Sequence, residues 1–173
     1  QAMKFAFGEN PKRVYGQFKE KAPVTRMASY AMLRETLLRA KLYSEQEKID
    51  YKNYDPKYEA LIPLMQGKMK ARIHCHRADD IWSAIKLAKE FSFDFCLEHV
   101  TEGHLIVDKL ADLRPKCVIG PMDIGPEKQE LWNLIPDNAA ILHKAKIPCS
   151  LTADAASATA RLPQEAGRLI KYG

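Results

Sequence analysis

Long apolar runs, blocks of like charge, paired cysteines and glycine fingerprints are all scarce in this chain of 173 residues. No run approaches the roughly 18 apolar residues that a membrane-spanning helix needs, so no membrane partner is expected. The opening QAMKFAFGENPK has no charged region leading into an apolar one, so no signal peptide is read there. The 27 basic and 22 acidic residues give a net charge of +5 but are scattered along the chain. Phosphate binding needs basic residues clustered on one face, so no nucleic-acid partner is expected either. Cys75, Cys96, Cys117 and Cys149 form no Cys-x-x-Cys pair, and three of them sit in apolar, strand-like runs. They read as reduced, buried thiols, which points to a cytoplasmic protein. Gly8, Gly103, Gly120 and Gly125 are isolated, and no G-x-G-x-x-G or G-x-x-x-x-G-K-[ST] follows a strand. A doubly wound nucleotide-binding domain would require one of these.

What is present suits one globular domain over residues 1–173, because 46% of the residues are apolar and 28% charged. Short β-rich runs at Met3 to Phe7, Lys70 to Cys75, Phe93 to Glu98, Lys116 to Gly120 and Cys149 to Ala153 predict strands. Between them, ADDIWSAIKLAKEF places Ile81, Ile85 and Ala88 on one helical face with Lys86 and Lys89 turned away. TEGHLIVDKLADL and PDNAAILHKAKI have the same period, so residues 69–173 read as regular βα units on a parallel sheet. Residues 28–68 predict a long helical connection after the first strand. In it, MASYAMLRETLLRAKLYSEQEK carries a stripe of Tyr30, Leu33, Leu37 and Ala40, and a second helix is expected around Pro56 to Met65.

In parallel α/β folds the chemistry gathers just past the carboxyl ends of the strands, where loops vary without damaging the sheet. Reading those positions in order gives Glu9, His74, His99 and Asp154. Two imidazoles and two carboxylates from four strands form a set suited to a divalent ion such as Zn²⁺. Taken singly, each has a structural reading: a histidine hydrogen-bonded at a strand end, or Asp154 capping a helix. Their recurrence at one edge of successive strands favours the metal. Trp82 and Trp132, in helical contexts, read as core residues, and His143 as surface.

The motifs MKFAFGENPKRVYG, ARIHCHRADDIWSAIKLAKEF, LEHVTEG, VIGP and WNLIPDNAAILHKAKIPCSLTAD resemble, in order and over nearly the whole chain, the imidazolonepropionase-like branch of the metal-dependent amidohydrolases. The resemblance implies a partial (β/α)8 TIM-type barrel of about strands four to eight, holding one or two divalent ions, most simply zinc. It further implies that His74 and His99 are metal ligands, that Asp154 is both ligand and catalytic proton carrier, and that Glu9 stands where relatives place a bridging carboxylate or a carbamylated lysine. His76 and Arg77 are left for a small-molecule substrate. The reaction implied is hydrolysis of an amide or cyclic amide C–N bond. The family's first-strand His-x-His has no counterpart before residue 74, and relatives continue beyond the last helix, so the chain reads as an incomplete catalytic domain, inactive alone. Its outer strands would then be exposed edges, met by a second copy or by the missing part of the barrel. The same absence leaves open a rival reading, a non-catalytic βα assembly module with a degenerate metal site.

Overall fold

The computed structural model describes residues 1–46, 51–122, 125 and 127–173. Five strands form one sheet: β1 (Ala2–Ala6), β2 (Lys70–Cys75), β3 (Phe95–His99), β4 (Lys116–Ile119) and β5 (Cys149–Leu151). Every neighbouring pair is parallel and the order follows the sequence from β1 to β5. This order lacks the reversal that creates the ligand crevice of a doubly wound sheet. Closure into a barrel is not seen among the described residues; the sheet is open, with β1 and β5 at its edges.

The helical connection contains α1 (Glu9–Lys12), a π-helical turn at Arg13–Gln17, α2 (Arg26–Ser44), α3 (Pro56–Glu59) and α4 (Ile62–Met65). Helix α2 begins where the Thr25 hydroxyl accepts the Ala28 N–H at 3.0 Å. Its buried stripe includes the expected Leu37 and Ala40, with Tyr30 and Leu33 partly covered. Glu47 and Lys48, the last residues of the expected helix, lie outside the described residues. Two short helices replace the single one expected at 56–65, each with a proline in its first turn.

The remaining helices are α5 (Ala78–Phe91), α6 (Val107–Leu113), α7 (Asn138–Lys144) and α8 (Leu162–Lys171). Helix α5 matches its expected span and buries Ile81, Ala84, Ile85 and Ala88, while Lys86 and Lys89 stay exposed. Its chain leaves the helix through Ser92, left-handed at φ 55°. The core consists of this helix face and one side of the strands, where Ala71, Ile73, Leu97, Cys117 and Ile119 are buried. Lys4, Arg72 and Lys116 line the other side and are exposed. Trp132 departs from its expected core position: it is 66% exposed, because the 3₁₀ turn at Gln129–Leu131 buries Glu130 and Leu131 and turns the indole outward. All four cysteines are free thiols; Cys75 and Cys117 are buried, whereas Cys96 and Cys149 are only partly so. No helix of the described residues is long and apolar enough to cross a membrane.

Candidate metal centre

The carboxyl ends of β2 and β3 bring three imidazoles together. His74, His76 and His99 are all buried and each offers a nitrogen within 4.8 Å of the others. The His76 and His99 rings stack at 4.5 Å between centroids, and His74 meets both edge-on. His74, next to last in β2, is in register with Glu98, and Cys75, which ends the strand, pairs with His99. Beyond that pair the backbone turns sharply, with His99 at φ 74° and Val100 at φ 48°. Left-handed backbone is costly for a β-branched residue such as Val100, so the turn must be held by its surroundings. It is held by the Val100 N–H, which donates to Cys75 O at 3.0 Å, and by the buried Asn138 amide, which donates to Val100 O at 2.9 Å.

His76 and His99 are oriented by hydrogen bonds at Nδ1, whereas His74 is contacted at Nε2. His99 Nδ1 lies 2.6 Å from the Gly120 carbonyl, an acceptor only, so Nδ1 carries the proton and Nε2 the lone pair. His76 Nδ1 lies 2.7 Å from Thr101 Oγ1. Lys128 Nζ can only donate, and its bond to Asn10 Oδ1 at 2.9 Å fixes the amide orientation, so that Asn10 Nδ2 faces His74 Nε2 at 3.2 Å. His74 therefore also presents Nε2 as an acceptor. Burial, reinforced by the neighbouring imidazoles, lowers the pKa of His76 to about 3 and that of His99 to about 4. Both rings are neutral at physiological pH, as metal ligands must be.

The carboxylate nearest the imidazoles is Glu130, whose side chain is fully buried. Its Oε1 stands 4.0 Å from His74 Nε2 and 3.8 Å from His76 Nε2. Burial raises the pKa of this carboxyl, and the Glu9 N–H, donating to Oε2, lowers it. Its Oε2 accepts the Glu9 N–H at 2.8 Å and faces Arg26 at 3.5 Å. Glu9 returns the contact, its carboxylate accepting the Glu130 N–H at 3.1 Å. Gly8 is what lets these chains meet: it is left-handed at φ 79°, and a Cβ there would stand 2.3 Å from Glu130 Oε2.

The residues read from the sequence thus divide. His74 and His99 lie together. His76, assigned by the resemblance to the substrate, lies in the imidazole group itself. The carboxylate of Glu9 is spent on the Glu130 backbone, and Asp154 is exposed on a left-handed residue at φ 57°, its charge acting on His99 and Lys4. Neither joins the three-imidazole group among the described residues. Arg77 pairs with Asp79 through two contacts at 3.0 and 3.1 Å. Glu130, Asn10, Lys128 and Thr101 were not anticipated. Glu130 and Lys128 lie in a loop with neither period nor strand end to mark them, whereas Asn10 follows Glu9 directly at a strand end already under suspicion.

The donor set fits a divalent ion: three buried imidazoles with their Nδ1 or Nε2 atoms converging, and a buried carboxylate oxygen, Glu130 Oε1, without a hydrogen-bond partner. No protein-family model matches the chain. It is similar to amidohydrolase tasK of Hapsidospora irregularis, 29% identical over 123 residues that cover 62% of this chain and 12% of that protein. Among solved structures it superposes on an amidohydrolase from Thermotoga maritima MSB8 with a TM-score of 0.91 and 34% identity, covering 99% of this chain and 46% of that one. The chain therefore spans less than half the length of either relative, and its likeness to amidohydrolases extends to both sequence and fold.

Proposed function

We propose that this chain is the strand-four-to-eight half of a (β/α)8 barrel in a metal-dependent hydrolase acting on an amide or cyclic amide C–N bond, of the imidazolonepropionase-like kind. The observation that carries the reading is the convergence of His74, His76 and His99 at the carboxyl ends of adjacent parallel strands. The similarity to two proteins named amidohydrolases supports it. When bound, a divalent ion, most simply zinc, supplies Lewis-acid polarisation of the carbonyl and lowers the pKa of a water.

The protein's own groups do the rest. His74, His76 and His99 would hold the ion; His76 and His99 are aimed by partners behind them, Thr101 and the Gly120 carbonyl, whereas Asn10 contacts His74 at Nε2 itself and would yield that nitrogen to the ion. Asp154 would accept the proton of the attacking water on a carboxylate oxygen and return it to the departing nitrogen. Its exposure and its influence on His99 suit a group at the mouth of the site. Arg77, one residue past His76 and only partly buried, would meet a small-molecule substrate. The open edges at β1 and β5 would be covered by the rest of the barrel or by a second copy. Four free thiols support a reducing compartment such as the cytoplasm.

Titration with Zn²⁺ by calorimetry tests the metal reading. The chain is expected to bind one ion or two, and His99→Ala to weaken binding by more than about 100-fold, beyond the loss typical of an outer partner. Failure of the unaltered chain to bind Zn²⁺, Co²⁺ or Mn²⁺ would sink the proposal.

A further inference from the structure

The environment of Glu130 contains an imbalance that the three imidazoles alone do not resolve. Two lone-pair acceptors, His74 Nε2 and Glu130 Oε1, face each other at 4.0 Å; His76 Nε2 faces the same oxygen at 3.8 Å. The lone pair of His74 Nε2 accepts the Asn10 N–H, which an ion at this nitrogen would displace, and the contact to Thr101 occupies the far nitrogen of His76. Both separations exceed a hydrogen bond, and Glu130 Oε1 has no hydrogen-bond partner although it is fully shielded from water. Burying an unpaired carboxylate oxygen costs several kcal/mol unless a cation compensates it.

Two cations lie within ion-pair distance of the carboxylate, but neither gives Oε1 a hydrogen bond. Arg26 addresses the other oxygen, Oε2. Lys128 Nζ stands 3.7 Å from Oε1, beyond hydrogen-bond reach, and gives its hydrogen bond to Asn10 instead. Donors bonded at about 2.0–2.1 Å to one ion lie roughly 3–4 Å from each other, which is the spacing between Glu130 Oε1 and the two imidazoles. Gly8 and Glu9 fix the carboxylate from behind: the Glu9 N–H anchors Oε2, and the absent Cβ of Gly8 leaves room for it, so that Oε1 is the oxygen left pointing at the histidines.

We infer that Glu130, through Oε1, is the anionic donor of this metal centre, completing a set with His74, His76 and His99. The inference rests on the metal reading above and extends it to a residue outside the strand-end positions. In this arrangement Glu9 is a positioning residue: it holds the Glu130 backbone and leaves coordination to Glu130.

The test compares Zn²⁺ affinity and the visible Co²⁺ spectrum of the unaltered chain with those of Glu130→Gln and Glu130→Asp. Glu130→Gln keeps shape and hydrogen bonding but removes the charge. It is expected to weaken Zn²⁺ binding by about 100-fold or more and to shift the Co²⁺ ligand-field bands, changes that a merely structural role would not produce. Glu130→Asp keeps the charge but withdraws the oxygen by one methylene, and is expected to bind more weakly than the unaltered chain with an altered Co²⁺ spectrum. It decides the question if the glutamine variant fails to fold by circular dichroism. Zn²⁺ affinity within threefold of the unaltered chain and an unchanged Co²⁺ spectrum in a folded variant would overturn the role of Glu130 alone. If the unaltered chain bound no ion, the metal reading would fall and this inference with it, so the two failures are told apart by which protein fails to respond.

Discussion

Along the same strands, the bodies and the carboxyl ends follow different rules. In the bodies of β2 and β3, Ala71, Ile73 and Leu97 are fully buried against helices, while Arg72 points to the exposed side, in the simple alternation of a pleated strand. At the ends the alternation stops. His74, Cys75 and His76 are buried in succession, and His99 and Val100 take up left-handed backbone. Such backbone costs on the order of 1–3 kcal/mol per residue, and it persists only when neighbours over-determine it. The body supplies stability that the end uses to crowd polar groups together. The comparison teaches where the protein should be fragile to pH and where it should be fragile to lost packing.

The largest effect expected is on the ends. His76 and His99 have folded pKa values of about 3 and about 4 against 6.5 for a free imidazole. The unfolded chain therefore takes up protons more readily than the folded one. The stability associated with these rings is complete above about pH 6.5 and is lost as pH falls toward 4 and then 3. Each contributes about 1.4 kcal/mol per pH unit within that window, together about 5 kcal/mol by pH 4.5. Urea unfolding of chelator-treated protein at intervals from pH 7.5 to 4.5 checks this. A flat profile would show that His76 and His99 are not packed as neutral rings, and would remove the contrast with the body.

Next in size is a packing defect in the body. Leu97 is fully buried at the centre of β3, flanked by β2 and β4. Leu97→Ala is expected to cost about 2–5 kcal/mol through lost transfer energy and the cavity left behind. Its penalty should be the same at pH 7 and pH 5, since no titrating group is involved. A pH-dependent penalty in thermal or urea unfolding would mean that body and end are one cooperative unit with the imidazoles, and would blur the distinction.

This division also explains how much was readable from residue order. The strands at 70–75 and 116–119 and the helix at 78–91 were visible because each signals through its own period: β-rich runs bounded by polar residues, or Ile81, Ile85 and Ala88 on one face. His74 and His99 were visible because strand ends are where parallel folds collect chemistry. Glu130 was not, because it enters the site from a loop whose path is set by tertiary contacts with Glu9 and Gly8, some 120 residues away in sequence. His76 was left for the substrate by the family resemblance, although in an extended strand it shares a face with His74. The left-handed turn at His99 and Val100, which no propensity favours, is what closes His99 over it. Trp132 misled for the same reason as Glu130: the tight turn at Gln129–Leu131 decides which side chains face in.

The smallest effect expected lies on the exposed side of the sheet body, and it tests whether charge there matters at all. Glu98 is buried, yet its two oxygens meet the half-exposed Lys4 and Arg72, the latter without a well-aligned hydrogen bond. Arg72→Gln leaves Lys4 to compensate the carboxylate, and a half-exposed ion pair contributes little, so the loss should be below about 1 kcal/mol. Adding Lys4→Gln strands Glu98 without a cation, and the double substitution should cost more than the two single ones together. A urea-unfolding double-mutant cycle measures both. If Arg72→Gln alone cost as much as Leu97→Ala, the exposed side would be held by its charges as firmly as the helix side is held by its packing. The apolar face would then no longer be the part of the body that sustains the strained strand ends.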